Sequence, residues 1–94
     1  MLLSPADLQI LVRLSDGMTQ AQIGNDLGIE QPAVSKSIRA AEARLGMALV
    51  RSDRRRLVLT SAGRELARAG TRVLMQLQSV DDIVGSLRAG RSDE

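Results

Sequence analysis

The chain contains no Phe, Tyr or Trp, so Leu, Ile, Val, Ala and Met must fill whatever core it has. The same absence excludes stacking of bases on aromatic rings, and with it the stacking type of single-strand or RNA reader. Cysteine and histidine are also missing. That excludes a disulfide framework, a zinc finger, and thiol, imidazole or triad chemistry. Zero cysteines leave the redox compartment open but fit the cytosol. There is no run of about 18 apolar residues, and Met1-Leu2-Leu3-Ser4-Pro5 is too short for a signal peptide. The expected location is the cytoplasm, with no membrane partner. No glycine-rich phosphate loop or metal-ligand cluster is present, and the carboxylates, serines and single lysine show no pairing that implies chemistry. We therefore expect no catalytic residue, no metal, no cofactor and no enzyme.

What is present fits one small domain. At 94 residues it buries only about 60–65% of its unfolded surface, so its own core is modest. The net charge of +2 hides an asymmetry. Residues 1–35 carry only Arg13 against Asp7, Asp16, Asp26 and Glu30. Residues 36–72 carry ten basic groups against Glu42, Asp53 and Glu65. Residues 73–94 are acidic again. A basic middle is either a solvated face or a local footprint for phosphate.

Three helices are predicted first. Ser4-Pro5 is a helix start, a capping hydroxyl followed by proline, and Leu8, Leu11 and Val12 give an apolar stripe to about residue 16. Gly17 stops it. Thr19 caps a second helix over about 20–27, in which Gly24 is a poor helix former suited to close packing by a crossing helix. Gly28 permits a turn, and Ile29 is expected to plug the corner. The third helix starts at Gln31 or Pro32, with Glu30 or Gln31 as cap, and ends at Gly46. Val34, Ile38, Ala41 and Leu45 form its inner stripe. Gln31, Ser35, Lys36 and Arg39 fall outside that stripe. Amide, hydroxyl and basic groups at helical spacing suit a helix that enters a DNA major groove. Arg39 and Glu42, three apart, are expected to form a minor pair.

After Gly46 the periodicity changes. Leu49-Val50-Arg51 and Leu57-Val58-Leu59 are β-prone and flank Ser52-Asp53-Arg54-Arg55-Arg56. This predicts a small hairpin with a basic tip, Leu49, Leu57 and Leu59 facing inward and Val58 outward. Charge on an edge hairpin also discourages unwanted pairing. Beside a helix-turn-helix, contact with DNA is the favoured reading. Thr60 then caps the longest helix, alone or with Ser61. Leu66, Gly70, Val73, Leu77, Val80, Val84 and Leu87 follow at alternating spacings of four and three, a heptad seam. Over residues 61–88 such a helix is about 42 Å long, more than one small domain covers. Its first half is expected to pack on its own domain and the rest on a partner, most simply a second copy. Residues 89–94 are expected to be a flexible tail.

These pieces in order resemble a family. Gln31-Pro32-Ala33-Val34-Ser35 with Ile38, then Glu42, Leu45-Gly46, Leu49-Val50, Leu59-Thr60 and Ala62-Gly63 are similar to the amino-terminal DNA-binding domain of LysR-type transcriptional regulators. The resemblance covers roughly residues 5–88. It implies a mainly α winged helix-turn-helix: a three-helix core plus a small β-hairpin wing over 1–60, followed by a long dimerisation helix over 61–88. It further implies transcription regulation through sequence-specific binding of double-stranded DNA by a homodimer. The recognition helix, about 31–45, would lie in the major groove and the basic wing, 51–56, on backbone and minor groove. On this reading Thr19, Gln20, Gln31, Pro32, Ser35, Lys36, Arg39, Arg51, Arg54, Arg55 and Arg56 contact DNA. Leu66, Val73, Leu77, Val80, Val84 and Leu87 dimerise. The chain departs from the family pattern where Leu11 and Val50 replace phenylalanines, Ile23-Gly24 replaces an Ala-Ala pair, and Ser52 replaces a wing arginine. The family usually continues into an effector-binding domain. An excised unit of a longer protein is therefore expected, with an effector small molecule and tetramer formation belonging to that longer form. The rival reading is a winged-helix interaction or oligomerisation module that ignores DNA.

Overall fold

A computed structural model describes residues 1–92 of the chain. Its elements run α1 (Pro5–Ser15), α2 (Gln20–Leu27), α3 (Gln31–Leu45), β1 (Val50–Asp53), β2 (Arg56–Leu59) and α4 (Ser61–Ser92). The fold is mainly helical, a three-helix core with a two-stranded antiparallel wing and a long final helix.

The helix starts are local chemistry. The Asp7 backbone N–H donates to Ser4 Oγ at 3.1 Å, and the Ser4 N–H donates back to Asp7 Oδ2 at 2.9 Å. Thr19 and Gln22 repeat this reciprocal pattern at α2, at 3.2 and 2.9 Å. Each pair satisfies donors that the first helical turn would leave unbonded. Glu30 occupies the cap of α3 without a side-chain bond, and Pro32 in the first turn carries no N–H to satisfy.

Ile23, Val34 and Leu49 are the largest fully buried side chains. They come from α2, α3 and the approach to the wing, so the centre of the core is where these three segments meet. Leu8, Ile10, Leu11 and Leu14 of α1 complete it, with Leu59 from the wing and Ala67 from α4. Leu3, outside every predicted element, is buried as well. Leu11 is 2% exposed.

Several packing details differ from the sequence expectations. Ile29 does not plug the corner; its side chain is 40% exposed. Its backbone does the work: a Cβ on Gly24 would sit 2.7 Å from the Ile29 carbonyl oxygen. Gly24 therefore makes room for the turn itself, not for a crossing helix. Glu42 forms no ion pair with Arg39. Its Oε2 accepts from the Leu49 N–H at 2.8 Å and the Val50 N–H at 3.4 Å, which ties the start of the wing to α3. Val58 is half-buried like Leu57, because β2 lies against α1 on one side.

α4 leaves the wing under tight control. Thr60 Oγ1 donates to the Ala48 carbonyl at 2.8 Å and accepts from the Gly63 N–H at 3.1 Å. A Cβ at Gly63 would lie 2.2 Å from the Leu49 carbonyl oxygen, so only glycine permits this approach. One turn-pair later α4 crosses α1 at Gly70, against Leu8 and Val12. Leu66, placed in the dimerising seam by its spacing, packs on the chain's own core. The helix continues to Ser92 rather than stopping at 88, so residues 89–92 extend it. One glycine at position 90 costs up to about 1 kcal/mol of helix propensity and does not break it. The rest of the expected tail, residues 93–94, lies outside the described residues.

Candidate nucleic-acid interface

α2 and α3 bring the sequence-predicted readers onto one surface. Burial of Val34, Ile38 and Ala41 turns Gln31, Pro32, Lys36 and Arg39 to solvent. Ser35 is half-buried and faces back towards α2, where its hydroxyl donates to the Gln20 amide oxygen. That bond occupies the Gln20 acceptor and leaves its NH2 as the free end. The N-termini of α2 and α3 are thereby held together. Thr19 is engaged in its own cap, while the Gln20 and Ala21 backbone N–H groups, in the first turn of α2, have no helical carbonyl to meet. Such a helix end attracts anions.

The wing stands beside this surface. Val50 pairs with Leu59, Arg51 with Val58, Ser52 with Leu57 and Asp53 with Arg56. Leu57 and Leu59 share one face with Val50; the other carries Arg51, Asp53, Arg56 and the half-buried Val58, and lines a cleft with Leu14, Ser15 and Gly17. Arg54 and Arg55 form the two-residue loop, with φ of 50° and 67°. A cleft lined by Thr19, Gln20, Gln31, Arg55 and Arg56 joins the starts of both helices to the wing. Arg56 is partly committed: its Nη2 donates to the Gly17 carbonyl at 3.1 Å, fastening the wing to the α1–α2 turn. This tether was not legible in the sequence, because its partner is a backbone atom 39 positions away.

The basic groups divide into paired and unpaired, and Arg64, Arg68, Arg72 and Arg88 of α4 are among those that form no ion pair among the described residues. Arg13 pairs with Asp26 across α1 and α2, and Arg44 pairs with Asp7 at 2.9 Å while also donating to the Leu2 carbonyl. Such exposed pairs are worth about 0–1 kcal/mol each and serve the fold. Lys36, Arg39, Arg51, Arg54 and Arg55 form no ion pair among the described residues. All five are exposed on α3 or the wing. Among the described residues no group of acids or other ligands could hold a metal ion, and no helix is long and apolar enough to cross a membrane.

This geometry is that of a known family. The model for bacterial regulatory helix-turn-helix proteins of the LysR family matches residues 5–64. The chain belongs to the LysR family. It is 30% identical over 84 residues to an HTH-type transcriptional regulator of Xanthomonas campestris, covering 89% of this chain and 24% of that protein. It is 31% identical over 80 residues to the uncharacterised HTH-type regulator YvbU of Bacillus subtilis, covering 84% of this chain and 27% of the other. The fold also matches the CbnR_DBD chain of a CbnR_DBD–DNA complex, with a TM-score of 0.75 and 22% identity, covering 90% of this chain and 98% of that one. The LysR-family chain thus spans about a quarter of the length of the curated relatives it matches.

The second half of α4 stands apart from all of this. Val73, Leu77, Val80, Val84 and Leu87 are between 39% and 62% exposed, and Ile83 and Met75 lie exposed on the same stretch. From Met75 to Gly90 every residue of the helix is exposed.

Proposed function

We infer that this chain reads double-stranded DNA in a sequence-specific way as a homodimer, as the DNA-binding part of a transcription regulator. One observation carries the reading: Lys36 and Arg39 lie exposed and without an ion pair among the described residues on α3, whose first residue, Gln31, shares a cleft with Thr19, Gln20, Arg55 and Arg56. Gln31 can take two hydrogen bonds with adenine, the Pro32 ring can meet a thymine methyl, and Arg39 and Lys36 can serve guanine or phosphate. Thr19, Gln20 and the wing arginines serve the sugar–phosphate backbone and fix the register. The uncovered stripe from Val73 to Leu87 supports pairing with a second copy. Leu66 is withdrawn from that proposal because it packs on its own core. A cytoplasmic setting fits this reading; effector binding and higher assembly would belong to a full-length form.

The decisive experiment is selection of bound sequences from random duplexes, followed by gel shifts on the selected site. Arg39→Ala should weaken that site by about 1–3 kcal/mol and relax its sequence preference. Arg55→Ala should weaken all duplexes nearly alike. If neither selection nor the Arg39 change has any effect, the chain is an oligomerisation module with an incidental basic face.

A further inference from the structure

The wing turn holds a conflict between its sequence and its backbone. The pairing of Asp53 with Arg56 leaves a two-residue loop, and both of its residues are left-handed, with φ of 50° for Arg54 and 67° for Arg55. Two-residue hairpin loops with both residues at positive φ favour Asn-Gly, Asp-Gly or Gly-Gly, because a side chain there crowds the backbone. This chain has Arg-Arg. Both side chains are exposed, neither contributes to the core, and neither forms an ion pair among the described residues. Among the described residues no core contact or ion pair of either side chain offsets that crowding. Keeping an edge hairpin from pairing does not require it either, since Arg51 and Arg56 already charge the strands. The strand positions also carry arginine without a left-handed backbone.

We propose that Arg54 and Arg55 are phosphate ligands retained against the stability of the turn, so the wing tip exchanges folding stability for DNA affinity. The proposal rests on the DNA-binding reading above and adds which wing arginines serve it. Arg55 lines the cleft shared with Thr19, Gln20 and Gln31, on the side of the recognition helix. Arg56, fastened to the Gly17 carbonyl, sets where the tip stands and is a positioning residue. Strain of this kind persists at binding sites when the surrounding structure holds it in place. Here the two-stranded register and the Arg56 tether do so.

Two double variants of the full chain test this, using thermal melts and a salt titration of binding to a random-sequence duplex. Arg54→Asn with Arg55→Gly should raise Tm by about 4–8 °C or more. The same variant should flatten the dependence of log K on log salt by about 1.8, the share of two phosphates. Arg54→Gln with Arg55→Gln should flatten the slope equally without the gain in Tm. An Asn-Gly variant that melts no higher than the parent would overturn the claim of strain. Either double variant keeping the parental slope would overturn the phosphate contacts. A parent chain that binds no duplex at any salt would instead remove the DNA reading itself, and this assignment with it.

Discussion

At the scale of single residues, the site depends on side chains whose task is to free or place their neighbours. Ser35 was expected to face DNA directly; its hydroxyl is bonded to Gln20, and it acts first by fixing that amide. Glu42 was expected to pair with Arg39; instead it anchors the wing's first backbone donors and leaves Arg39 unpaired. Spacing on a helix reveals which side chains can meet along it. It does not reveal a backbone N–H arriving from seven residues downstream. Gly24 gives the sharpest test at this scale. Replacing it with Ala gains up to about 1 kcal/mol of helix propensity. The added methyl would meet the Ile29 carbonyl at 2.7 Å, an overpacking that typically costs about 1–3 kcal/mol. The clash outweighs the gain, so Gly24→Ala should lower stability in urea denaturation by about 1–2 kcal/mol, and the turn between α2 and α3 should be disturbed first. An unchanged midpoint would mean that the turn has room to shift.

At the scale of elements, each helix start was legible and each partner less so. Ser4-Pro5, Thr19 and Gln31-Pro32 announce α1, α2 and α3 because capping is a local affair of three or four residues. The long helix was also legible, since its periodicity persists through Leu87. What the heptad count concealed was a change of partner partway along. Ala67 belongs to the core, Leu66 packs against it, and Gly70 suits close passage over Leu8 and Val12 rather than a seam. From Val73 onward the same spacing faces solvent. Leu77→Asp should therefore convert a dimer to a monomer in sedimentation while the helical signal of the winged domain and its melting persist. A dimer unaffected by the change would place the contact elsewhere. A domain that unfolds would show that the second half of α4 supports the core after all.

At the scale of the whole molecule, charge and shape are both unequal. The described chain measures 57 × 24 × 20 Å, with α4 setting the long dimension. The winged end carries the exposed cations of α3 and the hairpin, and the far end of α4 carries the exposed apolar stripe. A molecule of this form is suited to holding two reading surfaces apart by a paired helix, so a cognate site should be two related half-sites in roughly palindromic arrangement. Affinity should fall steeply with salt, because several phosphates are neutralised at once. A salt titration on the selected site checks this, and a flat response would contradict a surface built around Lys36, Arg39 and the wing tip. Sequences recovered as a single unpaired half-site would separate DNA reading from dimer formation.

The amino-acid sequence by itself determined the helix starts, the turn glycines, the basic hairpin, the heptad stripe and the family resemblance. These are patterns of neighbours, and their physics acts within a few residues. Only the tertiary structure decided which cations are spent on the fold, that Arg56 reaches back to Gly17, and that Glu42 holds the wing. It also decided that Leu66 packs against the core and that Arg54-Arg55 sit in a left-handed turn. Those outcomes depend on backbone atoms far apart in the chain. Composition and spacing list the groups available for bonding, while packing chooses which distant carbonyl or N–H each one meets.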